Sequence, residues 1–184
     1  MSARVSWVKC YQLLIKIIAG NSENLPLSPG NKASEAVRGP ILSLDLGARR
    51  VGVAISDPSL IAITRLPPLR RTNWKQLLRD VDDLIRRFDA QTLVIGFPLS
   101  LDGSEGAAAT ETRRTAQKFA LSLELPIYLQ DERLTSKEAE ERLRASGYRG
   151  SDLDERIDSE SAAIILQDFL ASGQQALQVL RVSD

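Results

Sequence analysis

The sequence contains no histidine and only one cysteine, Cys10. Without histidine, imidazole general-base catalysis, the Ser-His-Asp arrangement and the usual zinc ligand sets are excluded. A single cysteine excludes an internal disulfide and indicates either a reducing compartment or indifference to redox conditions. The side-chain ligands that remain for a metal are oxygens, which suit Mg²⁺ or Mn²⁺. An enzyme with this composition would therefore depend on carboxylates.

The sequence also lacks an excess of charge of one sign, because 24 basic residues balance 24 acidic ones. A nucleic-acid partner would therefore have to be bound by a local basic patch. The apolar stretch Val5 to Ala19 is interrupted by lysines and is too short to span a bilayer, so no membrane partner is expected.

The composition changes near residue 39. Residues 21–39 are rich in Ser, Asn, Pro and Gly, which is typical of a flexible linker. The sequence thus predicts a flexible N-terminal extension over residues 1–39, one α/β domain over 40–173 and a C-terminal tail over 174–184.

Periodicity predicts the order of elements within this domain. Period-two apolar runs around a glycine-containing turn predict a β-hairpin over Ile41–Asp57. Three more strands are expected after it, over 60–66, 91–97 and 126–130, with Pro67 and Pro68 ending the first of them. Four helices are expected over 74–88, 107–123, 135–143 and from 158, and the charged segment Tyr148–Arg156 is expected to connect the last two. Parallel strands joined by helices predict a three-layer α/β domain with a mixed five-stranded sheet flanked by helices.

Three acidic residues fall at the ends of these predicted elements. Asp45 ends the first strand, Glu132 follows the last strand, and Asp158 begins the last helix. Ligands of α/β sheets bind at the carboxyl ends of the strands, where these residues would meet. Carboxylates so close together repel one another unless cations neutralise them.

Each carboxylate also has a purely structural interpretation. Asp45 before Gly47 could serve a hairpin turn, Glu132 could pair with Arg133, and Asp158 could cap the last helix. Taken together, however, they favour a site for two Mg²⁺ ions, which would clamp the attacking and leaving oxygens of a phosphodiester. Arg49 and Arg50, in the turn beyond Asp45, are the first candidates for phosphate contact, and Arg133 is assigned the same role.

Four motifs resemble the YqgF family, also called RuvX, of pre-16S rRNA nucleases and Holliday-junction-resolvase-like proteins. They are DLGARRVGVAISD from Asp45, GFPLSLDGSEG from Gly96, DERLTSKEAE from Asp131 and IDSESAAIIL from Ile157. The resemblance implies a ribonuclease H-like fold, carboxylate metal ligands at Asp45, Glu132 and Asp158, and a cytoplasmic role in maturing the 5′ end of pre-16S rRNA. The sequence departs from the family at Ala48 and Arg49, where threonine and lysine are usual, and in the extension before Gly39.

The expected function is therefore metal-dependent cleavage of phosphodiesters, with structured RNA as the partner. A Holliday junction endonuclease acting on branched DNA would need the same carboxylates, and in addition two sites arranged by a symmetric dimer. A nucleic-acid-binding ribosome-assembly module without catalysis is a further alternative. A sugar-kinase or actin-type NTPase is disfavoured, since that architecture needs two domains. The sequence leaves open whether the protein is a monomer or a homodimer.

Overall fold

The computed structural model describes residues 27–28, 37–100, 102–132, 135–172 and 176–179. The strands are β1 (Leu27–Ser28), β2 (Ile41–Leu46), β3 (Arg50–Ser56), β4 (Ile63–Arg70), β5 (Thr92–Phe97), β6 (Ile127–Asp131) and β7 (Leu177–Val179). The helices are α1 (Trp74–Phe88), α2 (Ala107–Ser122), α3 (Thr135–Ala145) and α4 (Gly150–Ala171).

One mixed sheet contains all seven strands in the order β1-β7-β6-β5-β2-β3-β4. Strands β2, β3 and β4 form an antiparallel meander, and β5 and β6 run parallel to β2. The five predicted strands are all present. Two short strands are added at the far edge, where β7 pairs with β6 and β1 pairs with β7. Residues 177–179, in the segment expected to be a tail, are thus part of the sheet.

The two faces of the sheet carry cores of different size. Side chains alternate between the faces of a strand, so Leu42 and Leu44 of β2 pack towards α1 and α2 in the larger core, with Phe119. Ile41 packs on the other face, against Ile165 of α4. Asp45 shares the face of Ile41, because it lies four residues further along the same strand.

This arrangement confirms the predicted three-layer α/β architecture. A three-stranded meander, two further parallel strands and helices on both faces make up the ribonuclease H-like arrangement that the resemblance implies. The carboxyl ends of β2, β5 and β6 meet at one edge of the sheet, and this edge carries the candidate site.

The third strand differs from its prediction. It was expected over 60–66, with Pro67 ending it, but β4 runs through Pro67 and Pro68 to Arg70. Its register against β3 shifts between Val51 and Val53, and β4 is an edge strand. Edge positions and bulges are where a strand tolerates proline, because the missing N–H is not needed for pairing.

The start of the last helix was also predicted wrongly. The charged segment Tyr148–Arg156 was interpreted as a connection, whereas α4 begins at Gly150 and its N-cap is Arg149. Asp152 and Arg156 of this segment are exposed, so their polarity does not interrupt the helix. Asp158 consequently lies inside α4, and its interpretation as a helix cap is excluded.

None of the described residues forms a helix apolar and long enough to cross a membrane.

Candidate active site

Asp45 lies near the end of β2 with a glycine on each neighbouring strand. Gly52 of β3 is its antiparallel partner. On the other side Leu44 is opposite Ile95 of β5, so Gly96 comes next to Asp45. An isolated glycine inside a strand marks a bulge or a close approach of other atoms. Both glycines here allow a close approach of other atoms, and Gly52 also lies where the register between β3 and β4 shifts.

Gly52 lets α4 approach the sheet. A Cβ on Gly52 would overlap the backbone carbonyl of Asp158 and would lie 3.1 Å from its Cα. The backbone of α4 therefore rests directly on β3 at this point. As a result the side chain of Asp158 comes close to Asp45.

Gly96 provides space for the carboxylate of Glu132. A Cβ on Gly96 would overlap Oε2 of Glu132 and would lie 2.9 Å from its Cδ. The backbone N–H of Glu132 donates to the carbonyl of Phe97 at 3.2 Å, which extends the β5–β6 pairing by one residue. The Glu132 side chain therefore folds back over β5, towards the position of Asp45.

Ser159 and Glu160, which follow Asp158 in sequence, bind this part of α4 to the edge strand β4. The hydroxyl of Ser159 donates to the carbonyl of Leu66 at 2.6 Å. The guanidinium of Arg65 pairs with Glu160, with an Nη2–Oε1 distance of 2.9 Å. Because Ser159 and Glu160 are buried, these bonds fix the position of Asp158 along the sheet.

Two carboxylates of this site, Asp45 and Glu132, have pKa values well above their ordinary range. Burial, and then the charge of Asp158, raises the pKa of Asp45 from its ordinary 3.8 to about 6, against a hydrogen bond from Ser161 that lowers it. Burial, and then the charges of Asp45 and Asp131, raises the pKa of Glu132 from 4.5 to about 8. Asp45 is thus the electrostatic neighbour of both Glu132 and Asp158.

Asp158 has a cationic partner in Arg50. Arg50 Nε lies 2.7 Å from Asp158 Oδ2, and their side chains are 41% and 22% exposed. The contact is ionic, since Oδ2 accepts no hydrogen bond from the described residues. Arg50 therefore supplies positive charge at the rim of the acidic group, while Asp45 and Glu132 lie deeper.

The donor chemistry of this site fits a hard divalent cation. Oε2 of Glu132 is a buried atom without a hydrogen-bond partner in the described part of the chain. Oδ2 of Asp158 also accepts no hydrogen bond there, but it already has the guanidinium of Arg50 beside it. Unpartnered buried acceptors are costly unless a cation completes them. Within that same part, however, no three His, Cys, Asp or Glu side chains are grouped closely enough to hold one ion. The three carboxylates form a row with Asp45 in the middle, and Asp158 is turned towards Arg50.

The arginines predicted to bind phosphate are placed differently from one another. Arg50 reaches the acidic group, Arg49 is exposed in the β2–β3 turn, and Arg133 lies outside the described residues.

Sequence reasoning missed the structural roles of Gly52 and Gly96. An isolated glycine within a predicted strand was the available indication of both.

Comparison with known proteins identifies the family. The family model RuvX, described as Holliday junction resolvase, matches residues 39–172. A protein named "Putative pre-16S rRNA nuclease" from Anaeromyxobacter sp. (strain Fw109-5) is 40% identical over 129 residues, covering 70% of this chain and 94% of that protein. The protein of the same name from Synechococcus elongatus is 40% identical over 129 residues, covering 70% and 87%.

A solved structure of T. thermophilus RuvC in complex with Holliday junction substrate is also similar, with 14% identity and a TM-score of 0.49. It covers 76% of this chain and 98% of that one. At this level the structural similarity carries no information about function. The sequence matches do carry information about function, since the names of the relatives support the expected enzyme class, a nuclease. With its model matched over residues 39–172 and relatives this similar along most of their length, the chain belongs to the RuvX family.

Proposed function

We propose that this protein is a metal-dependent nuclease that hydrolyses phosphodiester bonds during 5′-end maturation of pre-16S rRNA. The observation that carries the proposal is the row of carboxylates, with half-buried Asp45 flanked by Glu132 and Asp158 at one edge of the sheet. It costs free energy to hold acidic groups that repel one another close together and partly out of water. Proteins keep such unfavourable arrangements mainly at functional sites.

Asp45, Glu132 and Asp158 are the residues that would hold Mg²⁺ or Mn²⁺. When bound, such ions lower the pKa of a water and stabilise the departing oxygen of the phosphodiester. The burial and mutual repulsion that raise the pKa of Glu132 and Asp45 strengthen the demand for a cation. Arg50, at the rim, is positioned to contact a phosphate of the nucleic-acid backbone.

The substrate assignment rests on the relatives. The names of the two relatives described above support a precursor of 16S rRNA as the substrate, and the family resemblance implies a cytoplasmic location. The description of the family model, Holliday junction resolvase, favours a second candidate, the cleavage of branched DNA. Both candidates use the same carboxylates, so the substrate must be decided by experiment.

The test is cleavage by the purified protein of a 5′-extended 16S rRNA precursor and of a four-way DNA junction, each with Mg²⁺ or Mn²⁺. The proposal expects cutting of the RNA, and its loss in Asp45→Asn, which keeps the shape of the side chain and removes its charge. The exposed residue Asp83 on α1 provides the control variant Asp83→Asn. Cleavage of the junction alone would favour the resolvase. Undiminished cutting by a folded Asp45→Asn would contradict the proposed site.

A further inference from the structure

Four arginines meet where β3 and β4 come together at the site edge. Arg50 and Arg70 are direct cross-strand partners. The N–H of Arg71 donates to the carbonyl of Arg49 at 3.0 Å, which continues the pairing by one residue into the turn. Like charges directly opposite each other on antiparallel strands are destabilising. Two such pairs in succession therefore need compensating negative charge.

The pair formed by Arg49 and Arg71 faces α2. Arg71 Nη2 lies 3.2 Å from Oε1 of Glu111, a residue of α2. Its Nη1 donates to the carbonyl of Gly47 at 3.1 Å. Directly paired residues point to the same side of a sheet. The exposed side chain of Arg49 is thus assigned to the α2 side, away from the carboxylates.

The pair formed by Arg50 and Arg70 faces α4. Arg50 contacts Asp158 of α4, so Arg70, directly across from it, lies on the side that carries the carboxylates. Arg70 is exposed and belongs to the edge strand β4, which has no strand beyond it in the described sheet. Among the described residues the side chain of Arg70 has no ion-pair or hydrogen-bond partner. Asp158 compensates the positive charge of Arg50, whereas no acidic side chain among the described residues compensates that of Arg70.

We propose that Arg70 binds a backbone phosphate of the nucleic acid beside the carboxylates, and that Arg49, on the other face of the sheet, contributes little. The inference rests on the proposed nuclease function and assigns the substrate path at that site. A phosphate next to Arg70 would neutralise the repulsion between Arg70 and Arg50. The nucleic-acid backbone thus runs from the carboxylates across Arg50 to the open edge of β4. Arg49, the arginine nearest to Asp45 in sequence, is not its main contact.

The test compares Arg70→Gln with Arg49→Gln, since both residues are exposed and neither has an acidic partner among the described residues. The probe is a fluorescein-labelled RNA hairpin with a single-stranded 5′ extension. Its Kd is measured in EDTA, which prevents cleavage, at several salt concentrations between about 50 and 200 mM. Arg87→Gln on α1, which removes an exposed arginine distant in sequence from the site, is the control.

We expect Arg70→Gln to weaken binding several-fold and to reduce the slope of log Kd against log salt by about 0.7 to 0.9, the loss of one phosphate contact. Arg49→Gln should resemble Arg87→Gln and the unaltered protein. If Arg49→Gln has the larger effect, or if Arg70→Gln leaves the slope unchanged, the inference is overturned although the protein still binds RNA. If the unaltered protein shows no salt-dependent RNA binding, the proposed function itself fails.

Discussion

The side-chain position of Gly96 is occupied by the carboxylate of Glu132, because a Cβ at Gly96 would overlap Oε2 of Glu132. The same Cβ would lie 2.5 Å from Cδ1 of Ile165, so the space between β5 and α4 is filled even without it. The position of one carboxylate is therefore determined by the absence of a side chain on the neighbouring strand.

Gly96→Ala should reduce cleavage strongly while leaving the protein folded. The added methyl group displaces the tip of Glu132, which is the end of a flexible side chain and can move. Since a displacement of about 1 Å at a catalytic site can cost about 100-fold in rate, we expect a loss of that order. Cleavage rate and thermal unfolding are measured together. Gly106→Ala is the control, since its Cβ would have no neighbour nearer than Ser100 Oγ at 3.9 Å; an equal loss of rate in both variants would contradict the prediction.

Gly52→Ala should act on stability instead. Its Cβ would meet the backbone of Asp158, and backbone in the middle of a 22-residue helix cannot move alone. The variant must push α4 off the sheet, so we expect it to reduce the free energy of unfolding by about 3 kcal/mol. Urea unfolding measures this loss. A Gly52→Ala variant as stable as Gly96→Ala would show that α4 is less firmly seated than the bonds of Ser159 and Glu160 to β4 suggest.

The parts of the fold and of the site that could be predicted from the sequence are those that a local pattern of apolar and charged residues specifies. The alternating apolar residues of β2 and β5 and the helical period of α1 predicted their elements almost to the residue. Asp45 stood out as a charge in an apolar strand, and it does lie in the middle of the carboxylate row.

What the sequence did not reveal depends on partners distant along the chain. Polar residues at the start of α4 indicated a connection, whereas they form the first turns of a helix that packs as a whole against α3 and β4. The pairing of Arg50 with Asp158 joins residues more than 100 positions apart and has no local pattern. The roles of Gly52 and Gly96 likewise depend on atoms of other elements, since a glycine in a strand does not indicate what approaches it.

In the absence of metal, the protein should become less stable as the pH rises from about 4.5 to about 8. Burial, together with the charge of Asp45, raises the pKa of Glu132 from 4.5 to about 8, so its protonated form is favoured in the folded state. The corresponding stability is fully present below pH 4.5 and is lost as the pH rises through the folded pKa. Thermal unfolding in EDTA across this range measures the decline.

Glu132→Gln provides the comparison, because it removes this titration and keeps the shape of the side chain. Its stability should fall less with pH, and the remaining fall should lie between pH 3.8 and about 6, the ordinary and the raised pKa of Asp45. Addition of Mg²⁺ should flatten the profile of the unaltered protein, since a bound cation favours the ionised carboxylates. Parallel profiles of the two proteins in EDTA would show that Glu132 is not the group responsible.

Arg50→Gln should bind Mn²⁺ more tightly than the unaltered protein, although it should bind RNA more weakly. Arg50 Nε lies 2.7 Å from Asp158 Oδ2, so a cation entering beside Asp158 must compete with the guanidinium. For a partly exposed ion pair worth up to about 1 kcal/mol, its removal should tighten metal binding about fivefold. Titration calorimetry with Mn²⁺ measures the change, Arg50→Lys should retain most of the competition, and Arg87→Gln serves as the remote control. Unchanged Mn²⁺ affinity in Arg50→Gln would mean that Asp158 takes no part in holding the ion, which would leave Asp45 and Glu132 as the ligands.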